Sequence, residues 1–224
     1  MNRATFLSLL TFATLACAGQ DGALQERSPL LDPTDPAWSE EAPDSFVVTI
    51  ETSRGDFRLE VVRAWAPIGA DRFYNLVRLG YYDDARFHRV VPGFITQWGV
   101  AGDPDVTSVW YDRGIPDDPV VSSNVRGSIA YAFTDPGTRS TQVYINMDDN
   151  TRLDSQGFAP FGRVVHGMAT VVDSIFGDYG ETSGGGVRQD EQDSLVVRGN
   201  AYLDSAFPQL DRLSRAYVSS ESRR

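Results

Sequence analysis

The chain has 224 residues, 41% of them hydrophobic, with 12 Phe, 9 Tyr and 4 Trp; this is the make-up of a globular protein with a sizeable core, not of a disordered or fibrous one. Its 31 acidic and 20 basic residues give a net charge of -11 at pH 7, which repels a phosphate backbone and argues against a nucleic-acid partner. One cysteine, Cys17, and two histidines, His88 and His166, leave no internal disulfide and little from which to build a metal cluster.

The first residues carry Arg3, then a nearly unbroken apolar run from Ala4 to Ala16 that ends in small residues. That layout predicts a secretory signal over residues 1–18, and the run is short for a permanent bilayer span. Leu15-Ala16-Cys17 resembles a lipobox, with Thr14 where that pattern prefers Leu, and makes Cys17 a candidate lipidation site and membrane tether. Ala16-Cys17-Ala18 also fits ordinary cleavage after Ala18. Export is the expectation, as a periplasmic protein or a membrane-anchored lipoprotein. Residues 19–45 are rich in Pro, Asp, Glu and Ser with few apolar side chains, a composition that predicts a disordered linker.

A folded domain is predicted over residues 46–200. Two β-rich runs, 46–52 and 56–62, meet at Ser53-Arg54-Gly55 as a hairpin. Pro67 opens a helix whose apolar face holds Phe73, Leu76 and Val77, with Gly80 as its stop. Short strand-like runs follow at 86–91, 94–99, 127–133, 141–146 and 160–165, divided by Gly, Pro and Asp loops, and point to an antiparallel barrel or sandwich. A second helix is expected over 168–176, a flexible loop at 183–186 and a last strand at Ser194–Asn200. Beyond it, Pro208, Leu210, Leu213 and Tyr217 suggest a short C-terminal helix within an extension at 201–224.

No nucleophile elbow, zinc-protease helix or phosphate-binding loop motif occurs. The paired carboxylates Asp83-Asp84, Asp117-Asp118 and Asp148-Asp149 sit in turn contexts that explain them without acid/base work. Gln97 and Gln142 stand in apolar, strand-like runs, where an amide must find partners or face a groove; groove-facing is expected. His88 and His166 read as structural.

The segments FHRVVPGFITQWG (87–99), GSIAYAFTDPGTRSTQVYIN (127–146) and LDSQGFAPFGRVVHGM (153–168), with matching sequence upstream, resemble the cyclophilin family of peptidyl-prolyl cis/trans isomerases from about residue 46 to 200. The resemblance implies a mainly β fold, a closed eight-stranded antiparallel barrel capped by two helices, and a groove on its outer face. It implies an isomerase without cofactor that turns X-Pro bonds in peptides; with the signal segment, the expected partners are Pro-containing segments of unfolded or exported proteins, and the chain is expected to be a monomer with no metal. By position, Arg89 matches the catalytic arginine. Phe94, Ile95, Gln97, Ala132, Gln142, Tyr144 and Leu153 match the proline pocket and groove, with Ile95 for a usual Met and Tyr144 for a usual Phe. Phe133, Arg152 and Phe158 depart from a usual Asn, Trp and nearby His. These departures imply weak cyclosporin binding and support a second reading, a proline-peptide binding module with little turnover. Arginine suits the chemistry because its rigid, always-charged fork can donate to the proline nitrogen once twisting frees its lone pair.

Overall fold

A computed structural model of the chain describes residues 28–184 and 193–222. The signal segment, Cys17 and part of the loop expected at 183–186 lie outside the described residues.

The predicted hairpin is present: β1 (Ser45–Thr52) and β2 (Gly55–Val62) pair antiparallel from Ser45↔Val62 to Thr52↔Gly55. Helix α1 (Pro67–Arg78) follows, with Pro67 in its first turn. Its first N–H groups are capped from far along the chain, Ile68 N and Gly69 N donating to the Asp118 carboxylate at 3.0 and 2.9 Å. The remaining elements are β3 (Ala85–Arg86), β4 (Arg89–Val91), β5 (Ile95–Trp98), α2 (Pro104–Trp110), β6 (Ser128–Tyr131), β7 (Val143–Asn146), β8 (Pro160–His166), α3 (Asp193–Ala206) and β9 (Arg212–Ser222).

These strands form one antiparallel sheet in the order β3-β9-β1-β2-β8-β6-β7-β5-β4. The mainly β class is as expected; the closed eight-stranded barrel is not. The sheet has nine strands and is open, because its edge strands β3 and β4 are joined by Phe87 and His88 rather than by a ladder. The concave side is filled by aromatic rings, Phe161 packing on Phe73 and Tyr131 with centroids 5.0 and 5.2 Å apart, and Trp98 on Phe87 at 5.5 Å.

The C-terminal expectations are exchanged. Residues 194–200, expected as a strand, lie in α3, which buries Leu195 and Leu203 and kinks at Gly199. There φ is 53°, and a Cβ would stand 2.3 Å from the Gly102 carbonyl, so only glycine fits. The segment expected as a C-terminal helix is β9, inserted between β1 and β3. Without it the backbone groups of β1 would face no partner on that side, and β9 buries its own Leu213 and Ala216 in the core. The helix expected at 168–176 is a wide turn and a short 3-10 segment, Val172–Ser174. Thr170, Val171 and Val172 are β-branched, and so short a run is marginal as a helix. Among the described residues the α-helices beside α1 are therefore α2 and α3, which pack on each other.

From Ser28 the expected linker is docked, not free. Trp38 lies 4.3 Å from Trp110, whose indole N–H donates to the Leu30 carbonyl at 2.9 Å, and Ala42 is buried with its N–H on Asp71. Burying these rings offsets the ordering entropy of a polar segment. Among the described residues no helix is long and apolar enough to cross a membrane.

Candidate active site

Strand register places the site. Arg89 on β4 pairs with Gln97 on β5, Gln97 with Tyr144 on β7, and Tyr144 with Ala130 on β6. Partners across a ladder point to the same face, so these four side chains form a row on one side of the sheet. Ile95, two residues before Gln97, shares that face. Val90, Ile129 and Ile145, one step out of phase, belong to the main core.

Ile95, Ala130, Tyr144 and Leu153, with Phe94, Ala132 and Phe158 against them, form a small apolar cluster separate from that core. It floors a cavity of about 530 Å³ lined by all ten sequence-predicted site residues of the folded domain, Arg89, Phe94, Ile95, Gln97, Ala132, Phe133, Gln142, Tyr144, Leu153 and Phe158. Leu153 is carried by the 3-10 turn Thr151–Gln156, which Gly157 ends at φ 89°. Phe133 and Phe158 stack with centroids 4.3 Å apart, making an aromatic slab of two of the three departures from the family pattern.

Arg89 is held on two sides. Its Nε and Nη2 donate to the two oxygens of Glu181, both at 2.7 Å, and its Nη1 donates to Gln97 Oε1 at 2.9 Å. Gln97 Nε2 then donates to Gln142 Oε1 at 2.9 Å. The expected groove-facing glutamines thus also support the arginine. Among the described residues three of the guanidinium's five N–H groups are engaged, leaving one on each Nη. Glu181 had no signal in the sequence: it stands outside the matching segments, 92 positions beyond Arg89. The segment bearing it crosses β4, bridging Val90 to Gly180, while Ser183 Oγ donates to the His88 carbonyl at 2.7 Å.

Beneath the apolar wall lies a polar hub that the sequence also hid. Asn124 is fully buried; its N and Nδ2 donate to Asp154 Oδ1 at 2.8 and 2.7 Å, and Nδ2 to the Phe158 carbonyl at 2.8 Å. The Tyr144 hydroxyl donates to Asn124 Oδ1 at 2.9 Å. Burial pushes the Tyr144 phenol far up, so it stays protonated and serves as wall rather than acid. Burial would raise the Asp154 carboxyl, but hydrogen bonds from Ser123 and Asn124 outweigh it and hold it below the usual carboxylate range.

His88 is fully buried with neither ring nitrogen making a full hydrogen bond among the described residues. It is not among the residues that line the groove, and the hydrogen-bonded ring expected of a structural histidine is not found among the described residues. Burial pushes its pKa down to about 4, with Gln142 and the Arg86 backbone near enough to oppose the shift.

Residues 47–192 match the family described as cyclophilin type peptidyl-prolyl cis-trans isomerase/CLD. The chain belongs to that family. Peptidyl-prolyl cis-trans isomerase-like 3 of Gibberella zeae is 35% identical over 136 residues, 55% of this chain and 80% of that protein. Peptidyl-prolyl cis-trans isomerase A of Dickeya dadantii is 35% identical over 147 residues, 60% of this chain and 73% of that one. Among solved structures, the cyclophilin-type isomerase of Cryptosporidium parvum superposes with a TM-score of 0.57 at 21% identity, covering 80% of this chain and 99% of its own. The same protein was also solved in the presence of the dipeptide Ala-Pro, with a TM-score of 0.56 over 78% of this chain. The cyclophilin domain is thus an isomerase-family domain with the mainly β cyclophilin fold, and its expected site residues meet in one groove.

Proposed function

We propose that this cyclophilin speeds X-Pro isomerisation in exported proteins, with Arg89 as the catalytic donor and the Ile95, Tyr144 and Leu153 cluster as the proline pocket. The carrying observation is the row formed by Arg89, Gln97 and Tyr144 beside that apolar cluster. An amide resists rotation by ~18–20 kcal/mol because its nitrogen lone pair is conjugated. X-Pro bonds populate both isomers and exchange over roughly tens to hundreds of seconds uncatalysed. Apolar contact anchors the proline ring, and the N–H groups left on Arg89 Nη1 and Nη2 reach the substrate. As the bond twists, the nitrogen becomes a hydrogen-bond acceptor, so the Arg89 interaction strengthens in the transition state and lowers the barrier. No proton changes hands.

Glu181 and Gln97 serve as positioning residues. A guanidinium fixed on its Nε edge and by one Nη1 bond cannot swing away, so less ordering remains when the peptide docks. The engaged fork and the Phe133–Phe158 slab also suit the second reading, a proline-peptide binding module with little turnover.

The full chain, including the docked residues from Ser28, is to be tested by NMR exchange on Ala-Ala-Pro-Phe peptides. Cis/trans exchange faster than the uncatalysed rate is expected, and peptide binding without faster exchange would leave only the binding module. The apolar run before Ala16 supports export, and the lipobox-like segment supports a tether at Cys17. Mass spectrometry of the mature protein should find an acylated Cys17 at its N-terminus; a chain starting at Gly19 without acyl mass would end the lipoprotein assignment.

A further inference from the structure

We infer that Arg152 makes this site select prolines flanked by an acidic side chain. The inference rests on the isomerase reading above and names the substrate class of the same groove.

Two arginines reach the ring of Phe94 beside the proline pocket. The guanidinium carbon of Arg152 lies 4.8 Å from the ring centroid and that of Arg89 5.7 Å. Their electrostatic situations differ. Arg89 is largely buried and its charge is met by Glu181. Arg152 is exposed and lines the same cavity, and among the described residues no carboxylate lies within ion-pair distance of it. Its Nη1 donates to a neutral oxygen, Asn150 Oδ1, at 2.8 Å.

The carboxylates nearest in sequence are committed elsewhere. Asp154 accepts from Ser123 and Asn124, and Asp149 accepts from the Arg126 backbone at 2.9 Å. The rim cation is also held in place. Asn150 Nδ2 donates to the Phe94 carbonyl and to Asn146 Oδ1, both at 2.9 Å, so the residue that orients Arg152 is tied to the start of β5 and the end of β7, the two strands that carry Ile95 and Tyr144 of the pocket. A peptide whose proline enters the pocket brings its neighbouring side chains past a fixed guanidinium in an otherwise strongly acidic protein. A Glu or Asp there gains a charge-assisted contact, a neutral residue gains none, and a Lys is repelled.

The test uses the full chain and two peptide series, Ala-Xaa-Pro-Phe and Ala-Ala-Pro-Xaa, with Xaa as Glu, Gln or Lys, read as kcat/KM by NMR exchange. In at least one series Glu should exceed Lys by about fivefold, the scale of one partly exposed ion pair. The preference should shrink in 0.5 M salt, where screening shortens to roughly 4 Å. Arg152→Gln should bring the Glu/Lys ratio to about one, and Arg152→Glu should invert it. Because the ratio is taken within each variant, a general loss of activity cancels. Turnover with no Glu/Lys preference, or a preference that survives Arg152→Gln, overturns the inference. Failure to accelerate any peptide overturns the isomerase reading instead, and the same Glu/Lys ratio is then read from binding titrations, where equal affinities overturn the selectivity as well.

Discussion

One wall of the groove is carried by β4 and β5, where Arg89 faces Gln97 across a ladder; the other is carried by the turn Thr151–Gln156 and Phe158, held from below by Asn124 and Asp154. In the first, alternation along a strand decides which side chains reach the peptide, and backbone hydrogen bonds fix them. In the second, the backbone follows no ladder, and a buried amide with its carboxylate partner does the positioning. The strand wall should therefore respond to mutation mainly in rate, and the turn wall mainly in stability and peptide affinity.

The largest effect is expected at Arg89. Replacing it with Ala should lower kcat by about 10²–10³-fold, the cost of removing one preorganised transition-state donor, with little change in peptide affinity or melting temperature. Arg89→Lys should recover little, because a point charge cannot keep Glu181 and Gln97 while reaching the substrate. A kcat near wild type in Arg89→Ala with an unchanged melt would move the chemistry to another residue.

Next comes acid. His88, joining β3 to β4 on the strand wall, has its folded pKa pushed down to about 4 from an unfolded value near 6.5. Between those values the unfolded chain binds the extra proton, so stability is lost as pH falls from about 6.5 to 4, by roughly 3 kcal/mol in all. Asp154 on the turn wall is depressed instead, so its contribution is present above the ordinary carboxylate pKa and lost as pH falls through its lower folded value. Urea titrations should thus show two acid limbs, and His88→Leu should flatten only the one nearer neutrality. A single limb unaffected by that variant would break the distinction between the walls.

Asp154→Ala should cost about 2 kcal/mol in urea unfolding at pH 7, since it strips partners from the buried Asn124, and should raise KM more than it lowers kcat. The reverse split, with kcat falling and KM steady, would give the turn wall a catalytic part. Smallest is Glu181→Gln, which keeps one acceptor for Arg89 and removes the charge: about a fivefold fall in kcat with KM steady, as befits a half-exposed pair. The Arg89 Nε–H resonance should exchange faster with water in that variant. A rise in kcat would show that Glu181 restrains Arg89 rather than positions it.

The strand wall was legible in the sequence because its parts are close along the chain. Arg89, Phe94, Ile95 and Gln97 fall within one motif, and strand periodicity sends the right ones to one face. Leu153 and Phe158 were legible through another matching segment. Asn124 stands outside the matching segments, and Asp154, though inside that one, showed no role, because an Asn and an Asp in polar loops look the same whether solvated or buried.

By itself the sequence determined the β-rich class, the hairpin, α1, the family and the residues that meet in the groove, all of which follow from local periodicity or from motifs with fixed spacing. Tertiary structure decided the rest. Residues 194–200 carry Val196 and Val197, good strand formers, yet are helical because Leu195 and Leu203 share one buried face and Gly199 lies against Gly102. Residues 212–222 became β9 because β1 offered a row of backbone groups that had to be paired. Glu181 reaches Arg89 only because its segment crosses β4. Each outcome depends on groups brought together from distant parts of the chain, and local propensity, worth at most about 1 kcal/mol per residue, yields to such contacts.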